Sequence, residues 1–139
     1  MAAILIVDDD AAMREALSEA ARDLGHDPRM AVSGQEALAT LDHEAVAAVL
    51  LDLRMPGMDG LEVLRRIRSL PRPPAVTVLT AHATATNTIE AMRLGAFDHM
   101  TKPIGREDLA RVLSDMLASA AGPRAGLWRL SMSPRQLSP

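Results

Sequence analysis

The sequence contains no cysteine, no tyrosine, only one lysine and no long apolar run. Without cysteine the chain has no disulfide and no cysteine-based zinc site, so carboxylates are its main candidate metal ligands. No apolar run approaches the roughly 20 residues of a transmembrane helix. The start, MAAILIVDDD, also lacks the basic region of a signal peptide. We therefore expect a cytoplasmic protein without a membrane interaction.

The charges are distributed unevenly along the chain. Over 139 residues the formal charge is −3, from 15 basic and 18 acidic residues. All 18 acidic residues and 12 basic ones lie within residues 1–120, whose charge is −6. Such an acidic region is a poor surface for nucleic acid, so we expect none to bind there. The single lysine, Lys102, is conspicuous because every other basic residue is arginine.

Apolar runs of strand length alternate five times with segments of helical periodicity, the pattern of a parallel sheet built from βαβ units. We therefore predict an α/β fold with a doubly wound parallel sheet. The predicted strands are Ala3–Val7, Pro28–Val32, Val46–Leu51, Ala75–Leu79 and Phe97–Thr101.

Helix signals follow each predicted strand. Gly25 is a stop signal after the first helix. The pairs Ser33 with Glu36 and Asp59 with Glu62 have the spacing of capping boxes for the second and third helices. The fourth and fifth helices are predicted at about Thr84–Leu94 and Arg106–Ala120.

Residues 121–139 lack a periodic apolar face and are rich in proline and glycine. We expect them to form a disordered tail or a linker stub, in which Leu127–Leu130 is a candidate docking peptide. The predicted domain therefore spans residues 1–120.

Chemically active residues follow four of the five strands, where ligands bind in an open parallel sheet. They are Asp8, Asp9 and Asp10 after the first strand, Asp52 after the third, Thr80 after the fourth and Lys102 after the fifth. Each has an ordinary alternative explanation; Asp10, for example, is equally suited to cap a helix. Their convergence on one edge of one sheet nevertheless favours a functional site.

Electrostatics indicates what such a site binds. Two carboxylates about 5 Å apart repel by roughly 3 kcal/mol at an effective dielectric constant of about 20, so Asp8, Asp9 and Asp52 together call for a cation. An all-oxygen ligand set favours Mg²⁺. The metal, the Thr80 hydroxyl and the Lys102 ammonium would then bind phosphate oxygens. These groups suit phosphoryl transfer from an external donor.

The motifs ILIVDDD, LLDLRMPGMDG, VLTA and GAFDHMTKPI resemble the receiver domain of bacterial two-component response regulators, over about Ile4 to Leu117. The resemblance implies a flavodoxin-like five-stranded sheet of order 2-1-3-4-5 with five flanking helices. GAFDHMTKPI and the acidic loop resemble receivers of enhancer-binding, nitrogen-regulator type transcription activators. The resemblance implies transcriptional control through an output domain that this sequence does not include, so the chain is expected to be either a stand-alone receiver or part of a longer regulator.

The resemblance also implies how phosphate is handled. Asp52 would accept a phosphoryl group from a sensor histidine kinase or phosphotransfer protein and act as a switch, not a turnover enzyme. Mg²⁺ would be bound by Asp9, Asp52 and the backbone carbonyl of Arg54, with Asp8 acting through water. Arg54 and His82 would tune hydrolysis of the acyl phosphate.

The remaining family positions concern switching. Thr80 and Lys102 would contact the phosphoryl oxygens, and Pro103 would follow a cis peptide bond. His99 occupies the switch position where Tyr or Phe is more common, so the direction of the switch is open. The usual dimer or effector surface would be the fourth helix, the fifth strand and the fifth helix.

Three alternatives have to be weighed. A flavodoxin-like electron carrier is disfavoured because Asp8 and its neighbours would repel a flavin phosphate. A haloacid-dehalogenase-type phosphohydrolase would use Asp8 and Asp10, but Ala12 breaks its motif. The third is a receiver-like interaction module that works without phosphorylation; it would normally have lost Asp52 or Lys102, and both are present.

Overall fold

The computed structural model describes residues 1–121, in which five strands alternate with five helices. The elements are β1 (Ala3–Val7), α1 (Ala11–Asp23), β2 (Asp27–Ala31), α2 (Gly34–His43), β3 (Ala48–Asp52), α3 (Gly60–Arg68), β4 (Ala75–Thr80), α4 (Thr86–Arg93), β5 (Asp98–Thr101) and α5 (Arg106–Ala121). Within these residues, no helix is both long enough and apolar enough to cross a membrane.

All strand pairs are parallel, and the order in the sheet is β2-β1-β3-β4-β5. This confirms the predicted fold class and strand order. The chain winds outward in one direction from β1 to β2 and in the other through β3, β4 and β5. The direction reverses between β1 and β3, where Val7 pairs with Leu51. A ligand crevice is expected beyond the carboxyl ends of these two strands.

Two hydrophobic cores cover the two faces of the sheet. Leu5 and Val7 face one core together with residues of α2, α3 and α4, whereas Ile4 and Ile6 face the other with residues of α1 and α5. Every residue of β3 is buried, as expected for a central parallel strand. The continuous apolar runs in the sequence thus reflect burial on both faces.

The stop signal predicted after α1 and the N-cap predicted for α2 are both observed, but one predicted capping partner differs. Gly25 follows α1 with a φ of +91°, as the predicted stop requires. The Ser33 hydroxyl accepts a hydrogen bond from the Glu36 N–H at 3.2 Å, which confirms that cap. Glu36, however, accepts from the N–H of Val32 at 2.7 Å, so the return bond of the predicted box is displaced by one residue.

The capping box predicted at α3 is wrong in its second half. Asp59 caps the helix by accepting from the Leu61 N–H at 3.0 Å. Glu62 pairs instead with Arg65 at 3.2 Å and Arg66 at 3.0 Å. Two arginines within a turn offer charged partners, which outcompete a single backbone N–H.

Some element boundaries also differ from the prediction. β2 is shifted one residue towards the N-terminus, β3 begins at Ala48 and β5 begins at Asp98. α4 begins at Thr86, and its N-cap residue is Ala85, whose methyl group cannot accept a capping hydrogen bond. α5 includes Ala121, the first residue of the predicted tail. Residues 122–139, with the candidate docking peptide, lie outside the described residues.

Candidate functional site

Three carboxylates converge beyond the carboxyl ends of β1 and β3. Asp8 and Asp9 directly follow β1, and Asp52 is the last residue of β3. One carboxylate oxygen from each lies within 4.8 Å of the others. Asp8 is fully buried, Asp52 is 4% exposed and Asp9 is exposed to solvent. The site therefore has a buried floor and an open side.

The three consecutive acids Asp8, Asp9 and Asp10 do not all belong to the site. The Asp10 carboxylate is the N-cap of α1, where it accepts from the N–H groups of Ala12 at 3.0 Å and Met13 at 3.4 Å. The alternative interpretation of Asp10 as a helix cap is therefore correct. Asp8 remains in the site, where its Oδ1 accepts from the N–H of Asp10 at 2.9 Å.

Arg14 is a neighbour of the site that the sequence analysis missed. Its Nη1 donates to the backbone carbonyl of Asp8 at 2.8 Å, which fixes the loop after β1 against the first turn of α1. Its position one helical turn beyond the acids was the only signal available.

Lys102 reaches the carboxylates from the end of β5. Its Nζ lies 3.4 Å from Asp8 Oδ2 and 3.5 Å from Asp52 Oδ1, and its side chain is only 27% exposed. Its N–H donates to the carbonyl of Thr80 at 2.8 Å, and its peptide bond to Pro103 is cis. One ammonium group thus faces two buried carboxylates at once.

The environment of Asp52 disfavours its charge. Burial is the main cause that raises the pKa of Asp52 from 3.8 to about 6, and the neighbouring Asp8 carboxylate raises it further. The N–H of Arg54, which donates to Oδ1 at 3.1 Å, and the ammonium of Lys102 lower the same pKa. Because burial and repulsion prevail, one lysine does not compensate this site.

The donor set suits a hard divalent cation. Asp8, Asp9 and Asp52 supply carboxylate oxygens, which are the ligands that Mg²⁺ prefers. Burial, with a smaller contribution from the Asp8 carboxylate, raises the pKa of Asp52, and a bound cation would favour its ionised form. Arg54 lies two residues beyond Asp52, and its carbonyl as a further metal ligand stays a prediction.

The Thr80 hydroxyl ends β4 in a small hydrogen-bonded cluster. It lies 3.1 Å from the carbonyl of His82 and accepts from the His82 N–H at 3.2 Å. Thr88 of α4, which is 1% exposed, places its hydroxyl 2.8 Å from that of Thr80. Thr88 could not be identified from the sequence, because a threonine on the inner face of a helix is a common feature.

His99 lies on β5 opposite Val78 of β4. Its side chain is 37% exposed, yet Nδ1 is buried and has no hydrogen-bond partner among residues 1–121. The Oδ1 atom of Asp98 lies 3.8 Å from that nitrogen. The ring is therefore partly enclosed at the edge of the sheet, and its switching role stays a prediction.

The response regulator receiver domain family matches residues 4–114 of this chain. The match covers every residue of the acidic cluster, together with Thr80 and Lys102. The chain belongs to the response regulator receiver family. This confirms the resemblance noted in the sequence and excludes the electron-carrier and phosphohydrolase alternatives.

Similar proteins place this receiver among response regulators. It is 40% identical over 120 residues to the response regulator protein FleR of Pseudomonas aeruginosa, covering 86% of this chain and 24% of FleR. NtrX from Brucella abortus superposes with a TM-score of 0.83 at 30% identity, covering 89% of this chain and 28% of NtrX. The chemotaxis protein CheY4 of Vibrio cholerae superposes with a TM-score of 0.77 at 29% identity, covering 84% and 99%. The receiver thus spans about a quarter of the length of FleR and NtrX.

Proposed function

We propose that this receiver takes a phosphoryl group onto Asp52 from a phosphohistidine of a sensor histidine kinase or phosphotransfer protein. The main support is the convergence of Asp8, Asp9 and Asp52 within 4.8 Å, with Lys102 Nζ 3.5 Å from Asp52. The reaction requires Mg²⁺. The protein acts as a two-state switch and not as a turnover enzyme.

The proposed step exchanges one bond to phosphorus for another. A carboxylate oxygen of Asp52 attacks the phosphorus in line, the bond from phosphorus to the imidazole nitrogen breaks, and the leaving nitrogen keeps the electron pair. Asp9, Asp52 and the carbonyl of Arg54 would hold Mg²⁺, with Asp8 acting through water, and the cation would neutralise charge on the carboxylate and phosphoryl oxygens. Lys102 contributes a compact positive charge, and the Thr80 hydroxyl becomes a donor to a phosphoryl oxygen.

The acyl phosphate is later hydrolysed by water. Arg54 follows Asp52 by two residues and His82 follows Thr80 by two, and both side chains are exposed to solvent. We propose that these side chains set the lifetime of the acyl phosphate by shielding or orienting the attacking water. Asp8 and Asp9 bind the cation in the same cycle.

The phosphorylated state is proposed to act through the surface formed by α4, β5 and α5, by pairing two copies or by contacting an effector. Ile89 and Met92 are exposed apolar side chains on α4 and supply hydrophobic area there. Because the chain covers only 24% of FleR, transcriptional control through an output domain is a proposal for the whole protein.

Intact-mass spectrometry after incubation with acetyl phosphate tests the proposed function. In Mg²⁺ we expect a gain of one phosphoryl group, and in excess EDTA we expect none. Borohydride reduction followed by peptide mapping should then locate the modification at position 52. A Mg²⁺-independent gain, or a gain at another residue, would refute the proposal; no gain would favour an interaction module that works without phosphorylation.

Lys102→Arg tests whether a compact cation is needed. The Nζ atom faces both Asp8 at 3.4 Å and Asp52 at 3.5 Å, and a planar guanidinium cannot take the same position. We expect slower phosphoryl uptake and loss of phosphorylation-induced dimerisation, measured by mass spectrometry and sedimentation. Arg72→Lys, at an exposed loop position, is the control for an arginine-lysine exchange. Normal uptake and dimerisation in Lys102→Arg would contradict the assigned role.

A further inference from the structure

Few protons are available for the hydrogen bonds of the Thr80 cluster, which consists of Thr80, His82 and Thr88. The hydroxyls of Thr80 and Thr88 each carry one proton, and the carbonyl of His82 carries none. Thr80 Oγ1 lies 3.1 Å from this carbonyl and 2.8 Å from Thr88 Oγ1, while Thr88 Oγ1 lies 3.0 Å from the same carbonyl. Two protons are therefore available for hydrogen bonds among three oxygen atoms that lie within 3.1 Å of one another.

Three arrangements of the two protons satisfy this geometry. In the first, Thr80 donates to the His82 carbonyl and Thr88 donates to Thr80. In the second, Thr88 donates to the His82 carbonyl and Thr80 donates to Thr88. In the third, both hydroxyls donate to the His82 carbonyl, which has two lone pairs. In all three, the single proton of Thr80 is already used within the cluster. It becomes available to a phosphoryl oxygen on Asp52 only if Thr80 gives up one of these bonds.

We propose that Thr88 is a positioning residue that relays the hydrogen bond of Thr80. When the Thr80 hydroxyl turns towards the phosphoryl group, the Thr88 proton takes or keeps the hydrogen bond to the carbonyl of His82. The number of hydrogen bonds that the two hydroxyls donate is thereby conserved during the change. This inference rests on the proposed phosphorylation of Asp52.

Burial explains why a relay is needed. Thr88 is 1% exposed and Thr80 is 7% exposed, so access of water to the two hydroxyls is restricted. The hydrogen bonds that the His82 carbonyl accepts from these hydroxyls are partly buried, so the loss of its donor would carry a free-energy penalty. Thr88 already lies 3.0 Å from the His82 oxygen and takes over that bond without a change in the backbone. Because Thr88 belongs to α4, the same exchange connects the phosphorylation site to that helix.

Thr88→Val is the first variant, since valine keeps the shape and removes only the hydroxyl. We expect the rate of phosphoryl uptake from acetyl phosphate in Mg²⁺ to fall about tenfold, within the range set by an unpaired carbonyl. Thr88→Ser, which keeps the hydroxyl, should restore most of the rate. The matched control is Thr77→Val, because Thr77 is also a buried threonine but its hydroxyl contacts Met116 Sδ at 3.2 Å. This control should react like the wild type.

A double-mutant cycle with Thr80→Ala separates a relay from a structural contribution. If Thr88 acts through Thr80, the double variant should react no more slowly than Thr80→Ala alone. Multiplicative effects, or a normal rate in Thr88→Val, would overturn the relay while leaving phosphorylation of Asp52 intact. Failure of the wild type to take up phosphate would overturn both proposals. Urea denaturation of each variant checks that the fold is retained.

Discussion

Asp52→Asn is expected to lose phosphoryl uptake completely and, at the same time, to stabilise the metal-free protein at pH 8. The amide is not a nucleophile towards phosphorus, so intact-mass spectrometry after acetyl phosphate should show no gain. The second effect has a different cause. The amide removes a charge that is buried with Asp52 and faces Asp8.

The pH dependence follows from the raised pKa of Asp52. Folding shifts this pKa from 3.8 to about 6, so the folded state favours the protonated carboxyl. Ionised Asp52 therefore destabilises the fold by about 3 kcal/mol above pH 6, since each unit corresponds to roughly 1.4 kcal/mol. Compared with the ionised form, the protonated carboxyl of Asp52 stabilises the fold. This stabilisation is fully present below pH 3.8 and is lost as the pH rises through about 6. The excess in free energy of unfolding of Asp52→Asn over the wild type should therefore grow as the pH rises through this range.

Urea denaturation in EDTA at pH 4.5 and pH 8 measures this difference. Asp52→Asn should exceed the wild type in free energy of unfolding at pH 8, with a much smaller excess at pH 4.5. Asp10→Asn is the matched control, because asparagine also caps a helix and Asp10 is exposed. Mg²⁺ should stabilise the wild type and narrow the gap. If Asp52→Asn raised the free energy of unfolding equally at both pH values, the charge of Asp52 would not be the cause.

The site was largely predictable because parallel strands place their carboxyl ends together. Continuous apolar runs identified β1 and β3, and Asp8 and Asp52 had to meet once these strands paired. Lys102 was identified by its position after β5 and by being the only lysine. The pattern of apolar residues is a strong signal, since a central parallel strand is buried on both faces.

The parts that were missed depend on side chains that compete for the same partners. Glu62 matches a capping box in sequence, but two arginines one turn later take its carboxylate. Thr88 is part of the Thr80 cluster only because α4 packs with its inner face over the end of β4. Arg14 reaches the Asp8 carbonyl through a long side chain whose direction no periodicity determines. Local pattern fixes the elements, whereas tertiary packing decides these contacts.

Gly60→Ala is expected to have the largest effect on stability of any single methyl addition near the site. A Cβ atom at this position would lie 2.7 Å from the Cα atom of Leu53 and 2.8 Å from its carbonyl oxygen. These are backbone atoms and cannot rotate away. The first turn of α3 therefore packs directly against the residue that follows Asp52, and only glycine leaves enough space.

The backbone has to move if this methyl group is added. Overpacking of this kind typically costs 1–3 kcal/mol, and we expect about 3 kcal/mol because the obstacle is backbone. The displaced segment carries Asp52 and Arg54, so phosphoryl uptake should also become slower. Gly105→Ala is the matched control, since its nearest neighbour would be 3.9 Å away, and it should be nearly neutral. If both variants unfold at the same urea concentration as the wild type, the approach of α3 to Leu53 is not rigid, and the backbone accommodates the added methyl group.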